Sequence, residues 1–303
     1  TRLVGSEMCI RDRYYAPLPN ISGYTGQYKN VGAINNKGLE ISLNADVIRT
    51  SKFQWTSDFN IGFNRNRVTE LYGGKPELKG LKRLEEGRDM DEWYLREWAG
   101  VDPANGSPLW YTTDENGKRT TTDSYNKADR VYCGSAAPKF TGGWMNSFSY
   151  KGFTLTANFD FVYGNLLYNQ SRELLDSDGA YADYNSMKLK SGWKRWEKEG
   201  DIATHPKAIN GGNKNSNKSS SRYLEKGNYF SLRNLSLGYS IPEKLCGKLG
   251  LQRVNVSCSA DNLFTLTPFS GVSPQLSDSS TDGYAGTIYP LSRRIVFGLN
   301  VSF

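Results

Sequence analysis

The chain has 303 residues, a formal net charge of +7 and 37% apolar residues, and it contains no apolar run near the roughly 20 residues of a membrane-crossing helix. Aromatics reach 13%, too many for a long disordered chain. Together, 31 Gly, 19 Tyr, 13 Phe and 7 Trp in so polar a sequence fit Gly-rich sheet proteins or porin-type barrels, whose polar lumen and loops dilute their lipid-facing residues.

Residues 1–13 (TRLVGSEMCIRDR) carry too many charges for a signal peptide. The stretch VGSEMCIRDR resembles translated sequencing-adapter read-through. Residues 1–13 are therefore expected to be a non-native leader, with a disordered leader as the alternative, and 14–303 to be the protein proper. The four cysteines, Cys9, Cys133, Cys246 and Cys258, form no CxxC pair, so a zinc or redox motif has no support. The single histidine, His205, stands in a polar stretch and reads as a surface loop residue. No metal and no cofactor are expected.

Segments with period two follow in chain order. Leu39–Val47 puts Leu39, Ile41, Leu43, Ala45 and Val47 on one face; Phe53–Phe63 repeats the pattern after a turn at 49–52, broken only at Ser57. A second hairpin runs over 140–163 with its turn at Lys151-Gly152; Trp144, Phe148 and Tyr150 are in phase around Asn146. A third pair covers 229–241 and 253–264, joined by 242–252, and a last strand covers 294–303. These seven strands have about ten residues each, the length that a tilted strand needs to cross a bilayer. Globular strands are shorter.

The connections alternate. Short ones follow residues 49, 150 and 241; long polar ones cover about 64–138, 164–224 and 265–288. Outer-membrane barrels have short periplasmic turns and long outer loops. A β-sandwich also alternates in sequence but does not need every second connection so long. The expected fold is an all-β, antiparallel transmembrane β-barrel portion, apolar residues facing lipid. Glu40, Asn44, Asp46, Asp58, Asn60, Asn158 and Asp160 then line the lumen, and Trp55, Trp144, Tyr150, Tyr163 and Tyr239 form aromatic girdles.

Five blocks carry a resemblance. They are 30–40 (NVGAINNKGLE), 138–144 (PKFTGGW), 228–242 (NYFSLRNLSLGYSIP), 261–271 (DNLFTLTPFSG) and 289–303 (YPLSRRIVFGLNVSF). In this order they resemble the SusC/RagA family of TonB-linked outer-membrane transporters. Departures include Gly271-Val272-Ser273-Pro274-Gln275, which lacks the family's acids there, and the loops at Asp102 and Asp114, which miss calcium-loop spacing. The resemblance implies the C-terminal part of a roughly 22-stranded barrel whose plug and N-terminal strands are absent. It also implies outer-membrane localisation, a SusD-like surface lipoprotein as partner, the TonB-ExbB-ExbD complex acting through the missing N-terminal part, contact with outer-membrane lipid, and the barrel-assembly machinery.

Five tryptophans, Trp93, Trp98, Trp110, Trp193 and Trp196, fall in the long connections. Such rings stack on sugars or anchor partners, or else they pack the loops together. Asn158, Asp160 and Arg233 are candidates for substrate or plug contact from the lumen. Phe303 is the expected barrel-assembly signal, or an interface anchor. Glu85-Glu86 and Asp114-Glu115 read as solvated loop charges, so no catalytic residue is expected. The basic, aromatic stretch 188–198 suits a loop helix better than a nucleic-acid contact. The implied function is energised, non-enzymatic uptake of oligosaccharides or peptides. The alternatives are a receptor for a metal chelate or cobalamin, and a secreted carbohydrate-binding β-sandwich.

Overall fold

The computed structural model describes residues 2–10, 13–17, 21, 23–30, 32–248, 250–276, 283–286 and 288–303. Eight strands form one antiparallel sheet in chain order: β1 (Arg2–Ile10), β2 (Ala33–Arg49), β3 (Phe53–Glu70), β4 (Phe140–Tyr150), β5 (Phe153–Tyr163), β6 (Tyr229–Ser240), β7 (Arg253–Leu266) and β8 (Arg294–Ser302). Seven are the strands that the alternation marks. The eighth, β1, pairs Gly5 with Leu39 and extends the sheet over residues 2–10. An exposed strand edge pairs through its backbone, so period-two side chains are no precondition.

The turn between β4 and β5 is Lys151-Gly152, with φ of 46° and 89°. Two consecutive left-handed residues make a turn whose twist matches the strands it joins. A short helix, Glu243–Lys248, occupies the connection between β6 and β7.

The register aligns the apolar residues in rows. One row runs Leu43, Phe59, Trp144, Phe159, Leu232, Phe264; another runs Ile41, Ile61, Gly142, Phe161, Phe230, Leu266. Gly142 is the gap in its row. A Cβ there would lie 2.5 Å from the Phe161 ring and 2.4 Å from the Asn60 carbonyl oxygen. The neighbouring ring thus fills the space that glycine leaves. Ten residue steps from Tyr150 to Phe140 span about 34 Å along the strand, or about 26 Å at a tilt of about 40°, which matches the height of a barrel's apolar band.

The ends of that band are aromatic. Phe53 and Tyr150, with Phe153 and Tyr239, close the short-turn end. Phe63, Phe140 and Tyr163 close the other. Trp55 and Trp144 do not belong to these girdles. Trp144 sits in the middle rows and donates its indole N–H to Ser57 Oγ at 2.9 Å; Trp55 donates to Asn146 Oδ1 at 3.1 Å. An indole N–H inside an apolar band needs a protein partner, and the two polar residues that interrupt the alternation supply them.

Strands β2 and β3 run to 17 and 18 residues, well beyond Leu39–Val47 and Phe53–Phe63. Past the pair Leu39 and Phe63, the same face continues with Lys37 opposite Arg65 and Asn35 opposite Arg67. Pairing goes on where the apolar signal stops.

The long connections, 71–139, 164–228 and 267–293, build a cap of short strands. Leu166–Asn169 pairs antiparallel with Leu224–Lys226 and parallel with Tyr284–Ala285, which joins the second and third connections in one sheet. Trp93, Leu95 and Ala136 from the first connection pack with Tyr168 and Tyr223 from the second and Tyr284 from the third. The stretch 188–198 forms no helix. It is irregular, with Arg195 bridged to the backbone of His205. The expected loop helix is therefore corrected: Trp196 is buried, Leu189, Trp193 and Arg195 are half-buried, and the rest of the stretch is exposed.

Candidate lumen site and loop cap

The site on the polar face depends on two bulges. Between β5 and β6, Asn158 opposes Asn234 while Phe159 opposes Leu232, which leaves Arg233 as an extra residue. Between β6 and β7, Asn234 opposes Asp261 while Leu232 opposes Phe264, and Asn262 takes a left-handed φ of 54°. A bulge re-aims side chains. Leu232 and Leu235 both hold their apolar rows, so Arg233 and Asn234 are delivered together to the polar side.

Arg233 Nε stands 3.0 Å from Asp160 Oδ1, an ion-pair contact without hydrogen-bond alignment. The Tyr229 hydroxyl donates to Asp160 Oδ2 at 3.0 Å. Asn234 Nδ2 donates to Asp261 Oδ1 at 2.7 Å, and Arg294 grips Asp261 Oδ2 through Nε and Nη2 at 2.9 and 2.7 Å. Arg233, Asp261, Asn262, Ser292 and Arg294 line a cleft of about 380 Å³. The Arg233 and Arg294 side chains are 41% and 73% exposed, against 24% and 23% for Asp160 and Asp261. The carboxylates orient the guanidinium groups, whose remaining N–H donors face the cleft and can bind carboxylates or hydroxyls. The expected trio of Asn158, Asp160 and Arg233 thus falls on one patch, with Asn158 exposed beside it.

Sequence reasoning missed Tyr229, Asn234, Asp261 and Arg294 as site residues. All four stand in the resemblance blocks. The loss of alternation after Ala260 was the available sign of a bulge.

The cap tryptophans divide. Trp93 and Trp110 are 0% exposed and Trp196 is buried. Trp93 packs on Tyr168 and Tyr284 and donates to the Leu166 carbonyl oxygen at 3.0 Å. Trp110 sits edge-on to Trp98 and Tyr125. Trp196 donates to the Pro103 carbonyl oxygen at 2.9 Å, tying the second connection to the first. The expectation that these three touch a substrate or partner is corrected: loops this long need a core, and these rings are it. Trp98 and Trp193 are half-buried.

His205 is corrected as well. It is buried, with its ring 5.0 Å from Trp193, and its Nε2 donates to Asp176 Oδ2 at 3.0 Å. Asp176 also meets Arg172 at 2.8 Å and Arg222 at 3.3 Å; Asp178 meets Arg195 at 2.7 Å and accepts from Ser216 at 2.6 Å. Buried charges persist when each is paired, as these are. Burial pushes the Asp176 carboxyl up, but His205, Arg222 and Arg172 outweigh it and hold it down at about 2. Arg172 extends the network to Glu225 at 3.0 Å, and Glu225 accepts from the Ser270 hydroxyl in the third connection at 2.6 Å. Asp102 and Asp114 turn their carboxylates to their own loops, accepting from the Ala104 and Asn116 backbone N–H groups at 2.9 Å each. Phe303 is exposed just past the end of β8.

No family model matches the chain. It is 29% identical to TonB-dependent receptor P3 of Formosa agariphila, over 95% of this chain and 30% of the relative. It is 22% identical to TonB-dependent receptor SusC of Bacteroides thetaiotaomicron, over 91% of this chain and 27% of the relative. The structure of the RagAB peptide transporter superposes with a TM-score of 0.82 at 27% identity, covering 96% of this chain and 32% of that one. The chain is similar to SusC/RagA-type TonB-dependent receptors over nearly all its length. It spans about a third of the length of the relatives it matches. In this barrel fold the apolar rows are the outer face of the wall, and the Arg233–Asp261 cleft lies on its inner face.

Proposed function

We propose that the chain is the C-terminal barrel part, residues 14–303, of an outer-membrane importer that takes up oligosaccharides or peptides with energy delivered through TonB-ExbB-ExbD. In this reading a SusD-like surface lipoprotein sits on the long-connection side, and Phe303 serves recognition by the barrel-assembly machinery. The observation that carries it is the fit of nearly the whole chain to the structure of the RagAB peptide transporter at a TM-score of 0.82. The outer-face rows, bounded by aromatics about one bilayer apart, support it. Movement of a solute needs no catalytic group, and the relatives bear the names of receptors, a transporter and an importer.

The inner-face cleft favours peptides. Guanidinium groups held by carboxylates suit a ligand that carries its own carboxylates, whereas a neutral sugar gains less from them. The test is growth and uptake. Deleting the complete gene is expected to abolish uptake of one solute class while general porin traffic persists. Arg233→Gln with Arg294→Gln is expected to reduce uptake with the barrel still assembled. Recovery of the intact protein as a soluble secreted species would overturn the reading.

A further inference from the structure

Above the aromatic row that ends the apolar band, the outer face of β2 and β3 turns basic. No register shift falls between Ile34 and Asp46, so Arg65 and Arg67 share a face with Phe63. Strand β4 pairs with β3 only up to Thr141 opposite Gly62. Beyond that point the edge of β3 and the chain leading into β4 part, and a cleft of about 1480 Å³ opens between them. Two rings line it, Phe63 and Phe140, with ring centres 5.9 Å apart, and Tyr163 stacks behind Phe140 at 5.0 Å. Arg65, Arg67 and Lys139 line it, all exposed and without an ion pair among the described residues. Glu86, Asp89 and Glu92 line the cleft as well, outnumbered by Lys37, Arg65, Arg67, Arg88 and Lys139. Glu92 pairs with Arg88 at 3.1 Å, Asp89 accepts from Ser135 at 2.9 Å, and Glu86 accepts from the Leu71 backbone N–H at 2.9 Å.

We propose that this cleft binds the phosphate groups of an outer-leaflet lipid. The acyl chains lie along the Phe63, Phe140 and Tyr163 row and the phosphates meet Arg65, Arg67 and Lys139. Guanidinium groups match phosphate oxygens in a fork geometry, and the height is right, because phosphates sit just outside the hydrocarbon that the aromatic row bounds. A free anion would make no use of the aromatic rings, which points to a lipid. The proposal rests on the outer-membrane placement given above.

The test uses the full-length receptor purified in detergent, titrated with diphosphorylated lipid A, with the dephosphorylated lipid and with inorganic phosphate. The phosphorylated lipid is expected to bind at least about tenfold more tightly than the dephosphorylated one, as three interfacial cations allow. The triple variant Arg65→Gln, Arg67→Gln, Lys139→Gln is expected to lose that preference while keeping the heat-dependent gel shift of a folded barrel. Lys139→Arg is expected to retain the preference, as is Lys118→Gln, which does not line the cleft. Equal binding of the two lipids, or inorganic phosphate competing fully at equal concentration, would overturn the proposal. So would a folded triple variant with its preference intact. Fractionation of the receptor away from the outer membrane would instead overturn the placement, a result read before any titration.

Discussion

The barrel wall and the cap solve the same problem in opposite ways. The wall turns its large apolar residues outward, and Leu43, Trp144 and Phe153 are all exposed in the isolated sheet. Its order comes from backbone ladders and repeated cross-strand pairs. The cap buries Trp93, Tyr168 and Tyr223 inside itself and adds a closed network of paired charges around Asp176 and Asp178. One region expects lipid as its solvent, and the other behaves as a small water-soluble domain assembled from three connections. A residue's type therefore says little until its region is known. Tryptophan is exposed at 144 and sealed at 93.

The comparison breaks most sharply at Trp93. Trp93→Ala is expected to cost the cap about 3–5 kcal/mol, seen as proteolysis within 71–139 and 164–228, while the gel shift of the folded wall persists. Next, Gly142→Ala tests the wall. Its added methyl meets the Phe161 ring and the Asn60 carbonyl, for an expected loss of about 1–3 kcal/mol in barrel stability by thermal gel shift, with the cap unaffected.

Acid separates the two regions without mutation. Asp176 is held at about 2 against an ordinary 3.8, so its pairing contributes at neutral pH and is lost as pH falls from about 4 through 2. Hydrogen exchange in 171–178 and 193–205 is expected to rise over that window. The Asp176→Asn variant is expected to flatten the response. The smallest effect belongs to Trp55→Phe, which leaves Asn146 Oδ1 without its donor inside the band. It is expected to destabilise the wall by about 1 kcal/mol in denaturant titration, and Trp55→Phe with Asn146→Ala should recover part of it.

Much of the wall was legible because a strand with one buried face repeats every two residues, a signal that lies in adjacent positions. Seven strands and their alternation of short and long connections follow from it. The signal failed where the face stayed the same and the side chains changed, at Lys37 and Arg65, so both strands were read too short. In the cap, little was legible. Its strands have two to six residues, and Trp93, Tyr168 and Tyr284 meet across long stretches of chain.

The sequence by itself determined an antiparallel barrel wall, its polar and apolar faces, and the kinship with SusC/RagA-like receptors. Those properties are written in local periodicity and in short blocks of residues. Only the tertiary structure decided that the aromatic loops form one cap, that His205 is buried on Asp176, that paired bulges turn Arg233 and Asn234 to the inner face, and that β3 and β4 part to open a basic cleft. Each depends on register between distant segments, and register is set by the summed fit of many pairs rather than by any neighbourhood in the chain.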